Sequence, residues 1–252
     1  MRLTGATIII FILTCMMLSS FPDRALADSG AEYIILRTSF PPKIDGVLDD
    51  IAWKYASPAE IALTNQRTKA KKKSLAYGVY DEDFLYFAFH RFDKDLNKLM
   101  ANAKSRDGRV WEDDEFELFL DTNHDHTTYW QLCLNVENVQ FDCRNSGGGC
   151  QSGENTNWET ATSKGRSEDW FAEVKVAFKD LGVNETPKPG DVWGVNFCGH
   201  VKSGIDEWVT WSDIGASFHN PSGFGNMIFS KESVAVGPAG KLPILWGWVK
   251  HR

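Results

Sequence analysis

The sequence predicts an all-β protein: an antiparallel β-sandwich, immunoglobulin-like or jelly-roll-like, with few short helical turns. Three observations predict it. Short runs alternate apolar and polar residues along most of the chain. Turn signals separate them at short intervals: Asp45-Gly46, Gly147-Gly148-Gly149, Pro187 to Gly190 and Pro221 to Gly225. The 252 residues also include 10 Trp, 16 Phe and 6 Tyr, residues that favour strands.

The elements follow in order. Tyr33-Ile34-Ile35-Leu36 opens the set, and Asp49 to Tyr55 has the pattern of a short helix. Leu75 to Tyr80 and Phe84 to Phe92 form a hairpin around Asp81-Glu82-Asp83. Between Glu115 and Asp121, Phe116, Leu118 and Leu120 point one way, and Glu115, Glu117 and Phe119 the other. Tyr129 to Val136, Gln140 to Cys143 and Trp170 to Phe178 continue the series, the last running into a single turn to Leu181. Asp191 to Val201, Glu207 to Trp211 and Asn226 to Phe229 complete it. Trp53, Trp193, Trp208 and Trp211 lie in apolar alternating runs and read as core.

The chain divides into residues 1–27, 28–230 and 231–252. The first segment has Arg2, an apolar run from Thr7 to Phe21, and Ala25-Leu26-Ala27 before Asp28. That is the pattern of a cleaved secretory signal, and the run is short for a membrane span. It predicts a secreted protein, extracellular or periplasmic, without stable membrane insertion. Residues 231–252 read as a C-terminal tail bearing Trp246 and Trp248. A net charge of −7 argues against a nucleic-acid partner, which would need a basic face.

Export makes disulfides the first reading of the cysteines. Cys15 leaves with the signal, and Cys133, Cys143, Cys150 and Cys198 allow three connectivities. Cys143 and Cys150 flank a Gly-rich loop whose ends can meet, which leaves Cys133 with Cys198. A zinc site is the rival reading, but the chain has no C-x-x-C pair.

An ordered set of blocks resembles the family 9 carbohydrate-binding modules. The blocks are Ile44-Asp45-Gly46-Val47-Leu48-Asp49-Asp50-Ile51-Ala52-Trp53, Tyr80-Asp81-Glu82-Asp83-Phe84-Leu85-Tyr86, and Val110 to Asp121. Tyr129 to Asn135, Trp193 to Phe197, Trp208 to Asp213 and Phe218 to Asn226 follow. The resemblance implies a DOMON-like sandwich that captures the end of an oligo- or polysaccharide between two aromatic rings. It implies Trp111 and Phe218 as those rings, Phe218 standing where the best-known member has Trp. It further implies Glu117 and Asn135 as hydroxyl-binding groups, with Cys133 standing where that member has Arg. Sugars suit such a site: the C–H face packs on a ring and the rim hydroxyls need hydrogen-bond partners.

Asp121, Asn123 and Asp125 place oxygen ligands at every second position, as calcium loops do, and the family resemblance also implies structural calcium, here or near Asp45. The loop is not an EF-hand: His126 stands where that loop needs Gly, and Leu132 where it needs Glu. His124 and His126 with Asp121 offer a transition-metal alternative. No organic cofactor is expected. No G-x-S-x-G, P-loop or H-E-x-x-H motif is present, so the reading is non-catalytic, with O-glycosyl hydrolase activity only by family association. The alternatives are a haem-binding electron-transfer domain of the DOMON type, a structural sandwich without a sugar site, and a glycosidase accessory.

Overall fold

The computed structural model describes residues 30–146, 150–151, 154–165 and 168–234. The signal-like segment and the tail beyond residue 234 lie outside the described residues. The strands are β1 Glu32–Thr38, β2 Ala59–Glu60, β3 Leu63–Thr64, β4 Ser74–Tyr80, β5 Phe84–Phe92, β6 Glu115–Asp121 and β7 Thr128–Asn135. Next come β8 Gln140–Ser146, β9 Cys150–Gln151, β10 Trp158–Lys164, β11 Asp169–Ala177, β12 Val192–Val201, β13 Glu207–Thr210 and β14 Gly225–Val234. Among the described residues, one α-helix, α1 (Ile51–Tyr55), stands beside four single 3-10 turns. Because β14 runs to Val234, the folded body extends past the boundary expected at residue 230.

The all-β expectation holds in its coarse form. The two separate antiparallel sheets do not. The main path of a single sheet runs β10-β11-β5-β4-β1-β14-β12-β6-β7-β8-β9. It is mixed, because β1 is parallel to both β14 and β4. A register shift between Ile35 and Arg37 lets β1 serve both neighbours. The halves on either side of β1 face each other. Phe89 of β5 stacks on Phe116 of β6 at 4.7 Å, and Phe116 meets Trp170 of β11 at 4.5 Å. None of these strands is a hydrogen-bonded neighbour across that contact, so the sheet closes on itself around an apolar core.

Alternation explains which side chains fill that core. Phe116, Leu118 and Leu120 of β6 enter it with Phe87 and Phe89 of β5 and Val174 and Val176 of β11. Trp53 of α1 packs into a smaller cluster on the outer side of β4 and β5. Its Nε1 donates to Glu173 Oε1 at 2.7 Å. The other oxygen of Glu173 accepts the Asp45 and Gly46 amides, at 2.9 and 2.6 Å. Gly46 has φ +83°, and a Cβ there would come within 3.0 Å of the Thr162 carbonyl carbon. Only glycine suits that turn, which fastens the Asp45-Gly46 segment to β10 and β11.

Candidate functional site

The reverse face of β6 carries three acids and one ring: Glu115, Glu117, Asp121 and Phe119. In register on β7 stand Asn135 opposite Glu115, Cys133 opposite Glu117 and Gln131 opposite Phe119. β8 adds Phe141 and Cys143 opposite Cys133 and Gln131. On the other side, Cys198 of β12 lies opposite Glu117, and Trp208 of β13 opposite His200 of β12. Register partners share a face, so five strands build one surface from these residues. A cleft of about 830 Å³ lies over it.

Two half-buried indoles border the cleft, Trp111 and Trp208. Trp111 sits on the 3-10 turn Val110–Glu112 and meets Phe141 edge-on at 4.9 Å. The acids after it fix that turn. Asp113 accepts the Asn102 amide at 2.6 Å and the Ala103 amide at 3.0 Å. Asp114 accepts the Met100 and Lys202 amides, both at 2.8 Å. Thus the two aspartates staple the loops beside the cleft. His200 ties the indoles together. Its ring stacks on Trp208 at 3.8 Å, and its Nδ1 donates to the Trp111 carbonyl at 3.0 Å. Its Nε2 faces Asp206 Oδ1 at 2.7 Å. Lys202 and then His200 hold the Asp206 carboxyl below its ordinary value.

The polar floor is Glu117 and Gln131. Gln131 Nε2 donates to Glu117 Oε2 at 2.5 Å. Burial pushes the Glu117 carboxyl up to about 7, against the pull of that donor. At one end Tyr129 shares a 2.9 Å hydrogen bond with His219 Nδ1.

Of the four expected sugar contacts, three lie along this cleft: Trp111, Glu117 and Phe218. Phe218 is only 8% exposed, and meets Phe119 at 6.3 Å and Trp208 at 5.5 Å edge-on. It therefore supports the wall more than it offers a face. Trp208, expected in the core, supplies the second open indole. Asn135 is not in the cleft and is fully buried. Its amide donates to the Ala103 carbonyl and Asp113 Oδ2, and its carbonyl accepts the Glu137 and Val139 amides. All its hydrogen-bonding positions are taken, so it anchors the Trp111 loop instead. Trp208 and Gln131 were within reach of strand alternation. Trp208 and Trp211 must face opposite ways on one strand, and Gln131 shares the face of Cys133.

The Asp121–Asp125 turn is held by its own oxygens. Asp125 Oδ1 accepts the Thr127 and Thr128 amides, and its Oδ2 accepts Asn123 Nδ2 and Thr128 Oγ1. Asp121 caps the Asp125 and His126 amides. Four donors reach the two oxygens of Asp125, an Asx-turn arrangement.

Cys133 and Cys198 are free and buried, which overturns the bridge expected between them. Both pair in register with Glu117, on its opposite sides. Two strand spacings, about 9–10 Å, separate their backbones, beyond the reach of a disulfide. Cys143 is disulfide-bonded; the side chain of Cys150 lies outside the described residues.

Residues 44–232 match the family described as carbohydrate family 9 binding domain-like. The endo-1,4-beta-xylanase A of Thermoanaerobacterium saccharolyticum is 30% identical over 200 residues, 75% of this chain and 15% of that protein. The endo-1,4-beta-xylanase C of Paenibacillus barcinonensis is 30% identical over 195 residues, 76% of this chain and 17% of that protein. The chain thus spans between 15% and 17% of the length of these relatives. A family 9 carbohydrate-binding module from Caldicellulosiruptor kristjanssonii, in complex with cellotriose, superposes with a TM-score of 0.58 at 18% identity. That match covers 85% of this chain and 99% of the other. A structure of a family 9 module from the same organism, in complex with glucose, gives a TM-score of 0.60 at 18% identity, over 82% of this chain and 100% of the other.

Proposed function

The chain belongs to the carbohydrate family 9 binding domains, and from that premise we propose that it is an exported, non-catalytic protein that captures gluco-oligosaccharide ends. The observation that carries this reading is the cleft itself, with two indole faces over a floor of one carboxylate and one amide. The indoles pack against the C–H faces of a pyranose, and Glu117 and Gln131 accept and donate to its hydroxyls. The modules of like fold that hold cellotriose and glucose point to the substrate class.

The lining of the cleft supports binding without hydrolysis. Glycosidases need two carboxyl groups flanking the bond. Among the described residues lining the cleft, Glu117 is the one carboxylate. Residues 1–27 supply the export signal, in keeping with a disulfide at Cys143. Cys150, across the Gly-rich loop in the sequence, is the partner this reading assigns to Cys143.

Isothermal titration with cellotriose tests the site. Trp111→Ala and Trp208→Ala should each weaken binding by about tenfold or more, from the loss of a stacking face. Phe218→Leu should change it far less. Unaltered affinity in both tryptophan variants removes the cleft from consideration. Absence of binding to glucose-, xylose- and mannose-based oligosaccharides alike defeats the sugar reading.

A further inference from the structure

The floor of the cleft holds a second chemistry beneath the first. Glu115, Glu117 and Cys133 bring one donor atom each to within 4.8 Å of one another, and all three are buried. The Cys133 thiol donates to Glu115 Oε2 at 3.4 Å. A tetrahedral zinc with ordinary Zn–S and Zn–O bonds sets that edge at about 3.6 Å. Glu115 Oε1 has no hydrogen-bond partner, although the residue is 0% exposed. A buried carboxylate oxygen left unpaired is costly, and a cation would satisfy it.

From this geometry we infer a buried site for a thiophilic divalent cation of the zinc class, ligated by Glu115, Glu117 and Cys133. Charge supports it. The one positive side chain among the cluster's electrostatic neighbours is Arg91, fully buried, with its guanidinium 4.4 Å above the Phe116 ring. Gly199 makes room for it: a Cβ there would stand 2.7 Å from Arg91 Nη2 and 2.7 Å from the Glu115 carbonyl oxygen. Two carboxylates and a thiolate carry three negative charges, and a divalent cation with Arg91 balances them. Cys198 stands across β6 from Cys133 and is not among the three ligands. Three protein donors leave a fourth position for water, an ordinary open zinc set.

The site does not depend on the sugar reading, and its test uses no sugar. Cobalt(II) added to the chelator-stripped full chain should bind one equivalent and show thiolate-to-cobalt charge-transfer absorption in the near ultraviolet. Zinc should erase the band by displacement. Cys133→Ser should abolish it, and Cys198→Ser should leave it intact. Glu115→Gln preserves the side-chain shape and should weaken cobalt binding by about tenfold or more. Absence of the band at stoichiometric cobalt, its survival in Cys133→Ser, or equal affinity in Glu115→Gln would each overturn the site.

Discussion

At the residue scale, buried His200 organises the cleft without being among its lining residues. One ring stacks on Trp208 and donates to the Trp111 backbone, so both indoles depend on it. His200→Ala should weaken cellotriose binding by about tenfold, a cost near that of one lost hydrogen bond. Asn at this position retains a donor near Nδ1, so His200→Asn should recover part of the affinity. A purely structural role would give no such rescue. Asn135 holds the same loop from below. Asn135→Ala removes one of the two donors to Asp113 Oδ2 and takes the acceptor from the Glu137 and Val139 amides, and should cost about 1–3 kcal/mol in urea unfolding. Glu173 gives a pH signature. Burial raises its carboxyl above the 4.5 of a free glutamate, despite its Trp53, Gly46 and Asp45 donors. The folded state then holds the proton more tightly than the unfolded chain. Its contribution is complete below 4.5 and declines as pH rises through the folded value. Glu173→Gln should flatten that decline while lowering stability at every pH. Urea midpoints across the acidic range decide it, and an unchanged slope refutes the assignment.

At the element scale, β6 separates two chemistries. One face feeds the aromatic core and the other builds the polar floor, and its alternation was plain in the sequence. Phe116 stacks between Phe89 and Trp170. Phe116→Ala should therefore cost about 3–5 kcal/mol, read by chemical denaturation. The flanking thiols of β7 and β12 should resist Ellman's reagent until the chain unfolds, since both are 0% exposed. The hairpin of β4 and β5 was equally legible, with aromatics on both arms of an acidic turn. β10 was not. Its sequence, Trp158 to Lys164, is Thr-rich and largely half-exposed, and it lies at the sheet edge. Edge strands carry polar residues on both faces, so their periodicity fades. Trp208 was misplaced for a related reason. Apolar character marks a strand, but not which of its faces meets the core.

At the scale of the whole molecule, β1 joins the two halves by pairing with β4 and β14. Deleting residues 30–38 should abolish the single cooperative transition, seen as loss of coincident near- and far-ultraviolet circular dichroism changes. Millimolar calcium should leave the melting temperature of the intact protein unmoved, because the Asp125 oxygens already hold their own loop. A rise of several degrees would reinstate calcium. The sequence by itself determined the strand-rich class and the two faces of β6, and it named Trp111 and Glu117, which both line the cleft. Each follows from local alternation or from blocks in linear order. Only the tertiary structure decided that the sheet is mixed, since the parallel pairing of β1 with β14 joins the two ends of the described chain. It also decided that Trp208 faces the cleft, that Asn135 serves the backbone, and that Cys133 and Cys198 stand apart with Glu117 between them. Those outcomes depend on which strands become neighbours, and alternation along one strand carries no information about its neighbour.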